Sequence, residues 1–380
     1  MSHYNKEIQV DGITIIAEQV NANSDNEKIR KTWAYLSDRC HHHYFLSWGW
    51  ISTWLASLPA KVQVLFIHGV KDHKPLFCCF VGVKNYRKFG LFPTHAMYLQ
   101  NTGVSQIDST TMEYNEVLSA CDQSITINAL FHSNLFEQRN EFVLPGIRDN
   151  FYNLIKRDCA DLFTTVSQQA SYYIDLQHIR NGKLTYDKCL SSNKRHQIKR
   201  SIKEYEKGGK IAHHIATSAD DALKLFSEMG GWHQNVWSAR GKQGAFANTY
   251  WVGFHEKIIR DRFLEGEIHI SRFSTENCLL GYIYGFTYNQ VFYFMQCGFN
   301  YLPDNKLRPG LVAHYLLIQY FMQQEYASYD FLAGDSAYKK SLATNTTNMY
   351  WACMQKQQLR FLLSRASKKA FYFLFPNGKR

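Results

Sequence analysis

Apolar and polar residues recur along the chain with two periods, near two and near 3.6, and these assign most of the elements. Residues 8–20 alternate well enough for one or two strands, 21–26 is a polar turn, and 27–39 is helical in pattern. Over 45–58, Phe45, Trp48, Ile51, Trp54, Leu55 and Leu58 fall three and four apart, an amphipathic helix that Pro59 ends. The apolar runs 62–70 and 76–83, either side of a polar 71–75, predict a hairpin. Helices are expected near 112–119 and 151–158, and strands near 126–131 and 141–144.

Around 177–192 the pattern turns polar, then basic. Residues 183–210 hold nine Lys or Arg against three acidic residues, with Arg195, Ile198, Ile202 and Tyr205 at helical spacing. This predicts a domain joint, 1–182 against 183–357, leading into a basic helix that stops at Gly208-Gly209. A strand at 211–215, helices at 219–237 and 250–263, and a meander of strands at 268–273, 278–286 and 291–299 follow. Then come Arg308-Pro309-Gly310, a helix over 311–324, a strand over 328–332 and the stretch Gly334-Asp335-Ser336-Ala337-Tyr338-Lys339, with a last strand at 348–355. Strand, glycine turn, helix and strand make a βαβ crossover. Its helix N-terminus offers unpaired N–H groups and about half a positive charge to an anion.

Composition narrows the class. With 45% hydrophobic and 15% aromatic residues and 7 prolines in 380, the chain is folded and long enough for two domains. Lys plus Arg exceed Asp plus Glu by 43 − 32 = 11. Such a charge suits phosphates, nucleotides, nucleic acid or an anionic membrane face, and equally a generally basic surface. Nine cysteines, single apart from Cys78-Cys79 and without a CxxC pair, argue against a disulfide framework or zinc ribbon and for a reducing compartment. No signal-peptide core opens the sequence and no apolar run reaches about 20 residues, so a cytoplasmic location is expected. Adjacent His41, His42 and His43 point in different directions and have no carboxylate or Cys spaced for zinc, so no metal is expected. Between 355 and 380 the chain has seven Lys or Arg and no acid, interleaved with Phe361, Phe371, Tyr372, Phe373 and Phe375. The 358–380 tail reads either as a segment touching an anionic membrane or a partner, or as a terminal helix packed on its domain.

A set of motifs carries a family resemblance. Ser191-Ser192-Asn193-Lys194-Arg195 with Lys199 and Arg200 comes first, then His233, Trp237, Arg240-Gly241, Gly244-Ala245-Phe246 and Phe254-His255. Phe299, Pro309-Gly310, Asp330-Phe331, Gly334-Asp335 and Tyr338-Lys339 complete it, and Trp48 to Trp54 with Tyr114-Asn115 match more loosely in the first half. In order and spacing these resemble the GNAT acyltransferases, specifically the CelD-type acetyltransferases found near polysaccharide genes and related to Fem-type aminoacyl transferases. The resemblance implies an α/β fold of two GNAT-like halves, each a mixed twisted sheet flanked by helices. It implies transfer of an acyl group, acetyl above all, from an acyl-CoA to an amino or hydroxyl group, with a sugar of a surface polysaccharide as the acceptor. Two alternatives stay open: transfer from aminoacyl-tRNA in the Fem manner, which would make nucleic acid a partner, and a catalytically silent scaffold of a polysaccharide-assembly complex. The donor loop departs from the family pattern Gln/Arg-x-x-Gly-x-Gly/Ala. Arg308 to Gly310 is one residue short and Val312 replaces the small residue.

Site expectations follow. Arg308, Gly310 and Leu311 would bind the donor phosphates, though Pro and Gly at a helix start have a purely structural use too. Phe294, Met295 and Gln296 would offer a splayed strand edge to the donor's peptide-like groups. By the resemblance, Tyr338 would protonate a leaving thiolate, while Lys339 would neutralise charge or bind phosphate. Asp335 joins them at the carboxyl end of a strand, or serves as a helix N-cap. His233, Trp237 and Arg240, spaced four and three apart, would line an acceptor pocket or pack as core. Arg195 heads a basic helix that would meet RNA or sugar-nucleotide phosphate, or simply face water. His255 and Glu256 are weaker candidate bases.

Overall fold

A computed structural model describes the chain apart from residues 1–4, 23, 25–26, 89, 111, 134, 136–137, 359–360 and 362–380. Nearly all of the basic aromatic tail thus lies outside the described residues. The chain forms two compact units, 1–168 with 349–380, and 169–348. The joint expected at 182/183 falls inside the second of them.

The first unit begins with the pair β1 (Asn5–Val10) and β2 (Ile13–Val20), then α1 (Glu27–Ser37), α2 (Trp48–Ser57), β3 (Val64–Lys71) and β4 (Lys74–Lys88). Next come β5 (Phe92–Leu99), α3 (Ser105–Asp108), β6 (Leu118–Ser119), α4 (Gln123–Ile127), β7 (Glu141–Arg148) and α5 (Asp149–Asp158). Strand order runs β1-β2-β3-β4-β5-β7, antiparallel except for the parallel β5–β7 pair, with β6 on β4. The alternation of β2 becomes alternate burial, and Ile15, Ile67, Val81 and Ile147 sit in one apolar core.

Two local expectations for this unit are overturned. Residues 112–119 are not a helix: Tyr114 takes a left-handed φ of 52°, and the Asn115 amide donates to the carbonyls of Leu99 and Pro145. Tertiary hydrogen bonds fix that loop and override its helical spacing. Residues 126–131 are not a strand either. Asp122 caps α4 at the N–H of Ser124, and the chain continues into a π-helical turn, Asn128–His132. Ile125, Thr126 and Ile127 are β-branched, which favours strands, but the cap and burial of one face decide for helix.

The second unit takes up most of β8 (Phe163–Asp175) and then α6 (Leu176–Asn181), α7 (Tyr186–Cys189), α8 (Ser192–Tyr205) and β9 (Ala212–Ile215). It continues through α9 (Ala219–Ala239), α10 (Thr249–Arg262), β10 (Ile268–Ser274), β11 (Leu279–Tyr288) and β12 (Val291–Phe299). After α11 (Pro309–Gln323), β13 (Ser328–Ala333) and α12 (Ala337–Leu342), β14 (Asn345–Gln355) leads back to the first unit, where its later residues pair with β7. The sheet order is β8-β13-β12-β11-β10-β9, and only β12–β13 is parallel, as the crossover through α11 requires. The result is a mixed α/β fold in each unit, each sheet flanked by helices. Phe292, Leu317 and Phe321 are fully buried between α11 and the sheet, each worth roughly 2–3 kcal/mol of burial.

Candidate active site

Four helices of the second unit start differently. Ser191 caps α8 at Lys194 N–H, Ser218 caps α9 at Asp221 N–H, and Asn248 caps α10 at the N–H groups of Tyr250 and Trp251. At α11 the N-cap position is Arg308, which supplies no side-chain cap, and Pro309 follows in the first turn. The early N–H groups of α11 therefore keep their capacity for an outside acceptor. The Arg308 N–H itself donates to Ser201 Oγ of α8 at 2.8 Å, which ties the two helices at this point.

A cavity of about 400 Å³ opens at that end of α11. Lys194 and Gln197 of α8 line one wall, Arg308, Gly310, Leu311 and His314 another, and Cys297, Phe299, Tyr301, Ala337 and Tyr338 the rest. Gly310 allows close packing here: a Cβ would stand 3.1 Å from the Phe299 ring, which would have to give by a few tenths of an ångström. Burial holds the Lys194 ammonium below its usual pKa, and the nearby Arg308 charge adds to the effect. Two cations and an uncapped helix start converge on the cavity, as an anion site requires.

The strands beneath part company. Among the described residues β12 and β13 pair over three positions, ending at Tyr293–Asp330. Beyond that point the end of β13 is satisfied locally. Asp330 Oδ1 accepts from Leu332 N–H at 2.7 Å, Leu332 has φ 59°, and Lys339 Nζ donates to the carbonyls of Ala333 and Leu332 at 2.7 and 3.4 Å. On β12 the register against β11 slips by one residue around Met295. The Gln296 side-chain oxygen accepts from Cys297 N–H at 3.0 Å.

The residues singled out from sequence divide accordingly. Arg308, Gly310, Leu311 and Tyr338 meet in the cavity. Phe294 lies behind it, edge-on to His314 at 4.7 Å between ring centres, while Met295 and Gln296 are half-buried on β12. Lys339 holds the end of β13 as described, and exposed Asp335 accepts a hydrogen bond from Tyr172 at 3.2 Å. Asp335 is not a cap, since Ser336 occupies that position before α12. His233 Nε2 accepts from Ala245 N–H at 3.3 Å, so Nδ1 carries the proton and donates to Cys297 O at 3.1 Å. Trp237 lies 5.8 Å from the His233 ring, and exposed Arg240 acts electrostatically on Tyr301 at the cavity rim. Arg195 donates to Asp187 O at 3.0 Å, so its neighbour Lys194 is the residue that reaches the cavity. His255 is fully buried against Tyr284, and Glu256 pairs with Arg260 along α10. His43, of the histidine triplet, stacks on Tyr114 at 3.9 Å. Among the described residues no group of His, Cys, Asp and Glu is placed to hold a metal ion, and no helix is long and apolar enough to cross a membrane.

Sequence reasoning passed over Gln197, Cys297 and His314, and noted Lys194 in the entry motif without naming it as a site residue. Gln197 follows Lys194 by three positions and His314 follows Leu311 by three, so helical spacing alone places each pair on one face. Burial raises the Cys297 thiol to about 12, against the pull of Lys339, so it is not a thiolate at neutral pH. Burial likewise holds the Tyr338 phenol well above its ordinary value. The phenol therefore carries its proton at neutral pH and has one to donate, although the upward shift makes it a weaker acid than an exposed tyrosine.

Residues 192–340 match the acetyltransferase (GNAT) domain family. Over nearly its whole length the chain also resembles solved structures in fold. FemX is 11% identical with a TM-score of 0.58, covering 91% of this chain and 100% of its own. L-PGS from Bacillus licheniformis is 10% identical with a TM-score of 0.51, covering 88% and 96%. A conserved protein of unknown function from Bacteroides thetaiotaomicron VPI-5482 is 12% identical with a TM-score of 0.52, covering 88% and 98%. No curated protein matches the sequence. The parted parallel strands and the open start of α11 all fall within the matched segment, and the second unit carries a GNAT-type acyltransferase domain.

Proposed function

We propose that the cavity at the start of α11 receives an acyl-CoA, with acetyl as the transferred group. The acceptor is an amino or hydroxyl group, on a sugar of a surface polysaccharide or its precursor. The observation that carries this reading is the uncapped start of α11, which faces the cavity together with Arg308 and Lys194. These groups would hold the donor's phosphates, and the parted edge of β12 would take its amide arm. The acceptor adds to the thioester carbonyl carbon and the C–S bond then breaks. Tyr338 gives its proton to the departing sulfur, and the proton lost by the acceptor returns to the phenolate through water. Holding two reactants in register supplies about 7–11 kcal/mol, so no protein nucleophile is required. Titration calorimetry with coenzyme A and acetyl-CoA tests the reading. Micromolar binding that weakens in Arg308→Ala supports it, and no heat at millimolar ligand overturns it.

One observation favours a second reading, transfer from aminoacyl-tRNA. On α8 the exposed residues His196, Lys199, Arg200 and Lys203 fall on one face, and Lys194 of the same helix lines the cavity. That stripe could track an RNA backbone. RNA binding that falls steeply with salt, alongside no affinity for acetyl-CoA, would decide for it.

A further inference from the structure

His314 lies in the second turn of α11, is fully buried and is among the residues that line the cavity. One ring nitrogen is engaged: Nδ1 is 2.7 Å from the hydroxyl of Tyr329 on β13. The other, Nε2, is buried and has no protein partner among the described residues. The rest of its surroundings is aromatic. Phe294 is edge-on at 4.7 Å, Phe331 at 5.3 Å, and Tyr338 stacks at 5.5 Å with 25° between ring planes. A buried polar atom left without a partner costs about 1–3 kcal/mol, so this arrangement calls for a group supplied by the occupant of the cavity.

The tautomer follows from the Tyr329 hydroxyl, which is itself fully buried with His314 as its hydrogen-bond partner. A hydroxyl with one partner is best satisfied by donating its only proton. Tyr329 O–H then donates to Nδ1, and Nε2 carries the imidazole proton. Burial, with the Lys339 charge adding to it, drops the ring's pKa to about 3, so the ring stays neutral across physiological pH. Nε2–H is a fixed, neutral donor in a largely apolar wall, beside the phenol that the reading above assigns to leaving-group protonation.

We propose that His314 is a catalytic hydrogen-bond donor. Its Nε2–H binds the carbonyl oxygen of the thioester and stabilises the oxyanion formed when the acceptor adds to the carbonyl carbon. The carbonyl electron pair moves onto oxygen, then returns as the C–S bond breaks and Tyr338 protonates sulfur. His314 keeps its proton throughout, and Tyr329 is a positioning residue that fixes the tautomer. This inference rests on the acyl-thioester reading of the cavity.

The test has a spectroscopic arm and a kinetic arm, both on the full chain. Histidine ¹⁵N NMR of the wild type should show Nδ1 unprotonated and Nε2 protonated at His314 from pH 5.5 to 8. A ketone analogue of acetyl-CoA, in which a methylene replaces sulfur, should shift the Nε2–H signal, whereas coenzyme A without an acyl group should leave it in place. Tyr329→Phe should turn the single tautomer into a mixture. His314→Phe replaces the imidazole with a somewhat larger apolar ring and should lower kcat by about 10²–10³ with the donor KM changed less than about threefold, the loss typical of one oxyanion donor. A protonated Nδ1 in the wild type, an Nε2–H signal indifferent to the ketone analogue, or an undiminished kcat in a folded His314→Phe variant each overturns the proposal. If the variant does not fold, the NMR arm decides alone. If the wild type binds no acyl-CoA, the donor reading fails first and this proposal with it. Normal binding and turnover with an indifferent His314 overturns the proposal only.

Discussion

Two buried polar groups, one in each unit, are handled in opposite ways. In the first unit the Glu141 carboxylate accepts from Tyr86 O–H at 2.5 Å, Lys88 Nζ at 2.9 Å and Gln355 Nε2 at 2.5 Å. In the second, His314, which lines a cavity, has one nitrogen satisfied and the other buried without a protein partner among the described residues. The first network is closed: it can hold β4, β7 and β14 together but offers nothing to a ligand. The second is incomplete within the protein, and a ligand can complete it. The same contrast separates the helix starts, where serine or asparagine closes α8, α9 and α10 while α11 is left open. Among the described residues other buried polar atoms, Tyr205 Oη and Gln234 Oε1 among them, also have no hydrogen-bond partner; what sets His314 and the start of α11 apart is that both lie on the cavity.

The most severe way to sharpen this contrast is Tyr338→Phe. It should lower kcat by about 10²–10³ through loss of the acid, with the urea midpoint nearly unchanged. A variant that unfolds early but turns over normally would reassign Tyr338 to structure. Glu141→Ala should do the reverse. Removing one partner from a buried network should cost about 2–4 kcal/mol in urea denaturation, discounted for the partly exposed Lys88, while donor affinity stays within about twofold. The charge also has a pH signature. Burial raises the Glu141 pKa, but hydrogen bonds from Tyr86, Lys88 and Gln355 outweigh it and leave it below the ordinary 4.5. A depressed carboxylate contributes fully above the unfolded pKa and loses its contribution as pH falls through the folded one. The stability gap between wild type and Glu141→Gln should therefore close on going down from about pH 5.

The contrast between closed and open groups was partly legible in the sequence. The βαβ crossover and its glycine turn follow from spacing and turn chemistry, and the family resemblance singled out Arg308, Gly310 and Tyr338, which line one cavity. What escaped is tertiary in origin. Nothing in the order of residues says that Lys339 reaches back to the carbonyls of Leu332 and Ala333, or that His233 bridges Ala245 to Cys297. His314 stands in an apolar helix where spacing gives it no distinguishing mark; its place on the cavity and the second nitrogen without a protein partner among the described residues are visible only in the fold. The strand β5, which carries Pro93 at its second position, and the loop around Asn115 were missed because register with neighbouring strands, not local propensity, fixes them.

Weaker effects are expected at the mouth of the cavity. Arg308→Ala and Lys194→Ala should each reduce coenzyme A affinity about 10-fold by calorimetry, and less as salt rises, because both charges are near water. Equal affinity at low salt would detach the phosphates from α11 and leave the cavity without its anchor.

The smallest effect on stability separates the two uses of a helix start most directly. Arg308→Asp converts the open start of α11 into one of the closed kind, since an aspartate at the N-cap accepts from first-turn N–H groups and answers the dipole. It should raise stability by about 0.5–1 kcal/mol and, at the same time, remove measurable donor binding. Greater stability with lost affinity would mean that the missing cap is a structural cost tolerated for function. If stability falls instead, the Arg308 side chain has a structural role. In that case the uncapped start of α11 would no longer argue for an anion, and the donor reading would rest on Lys194 and the parted strands alone.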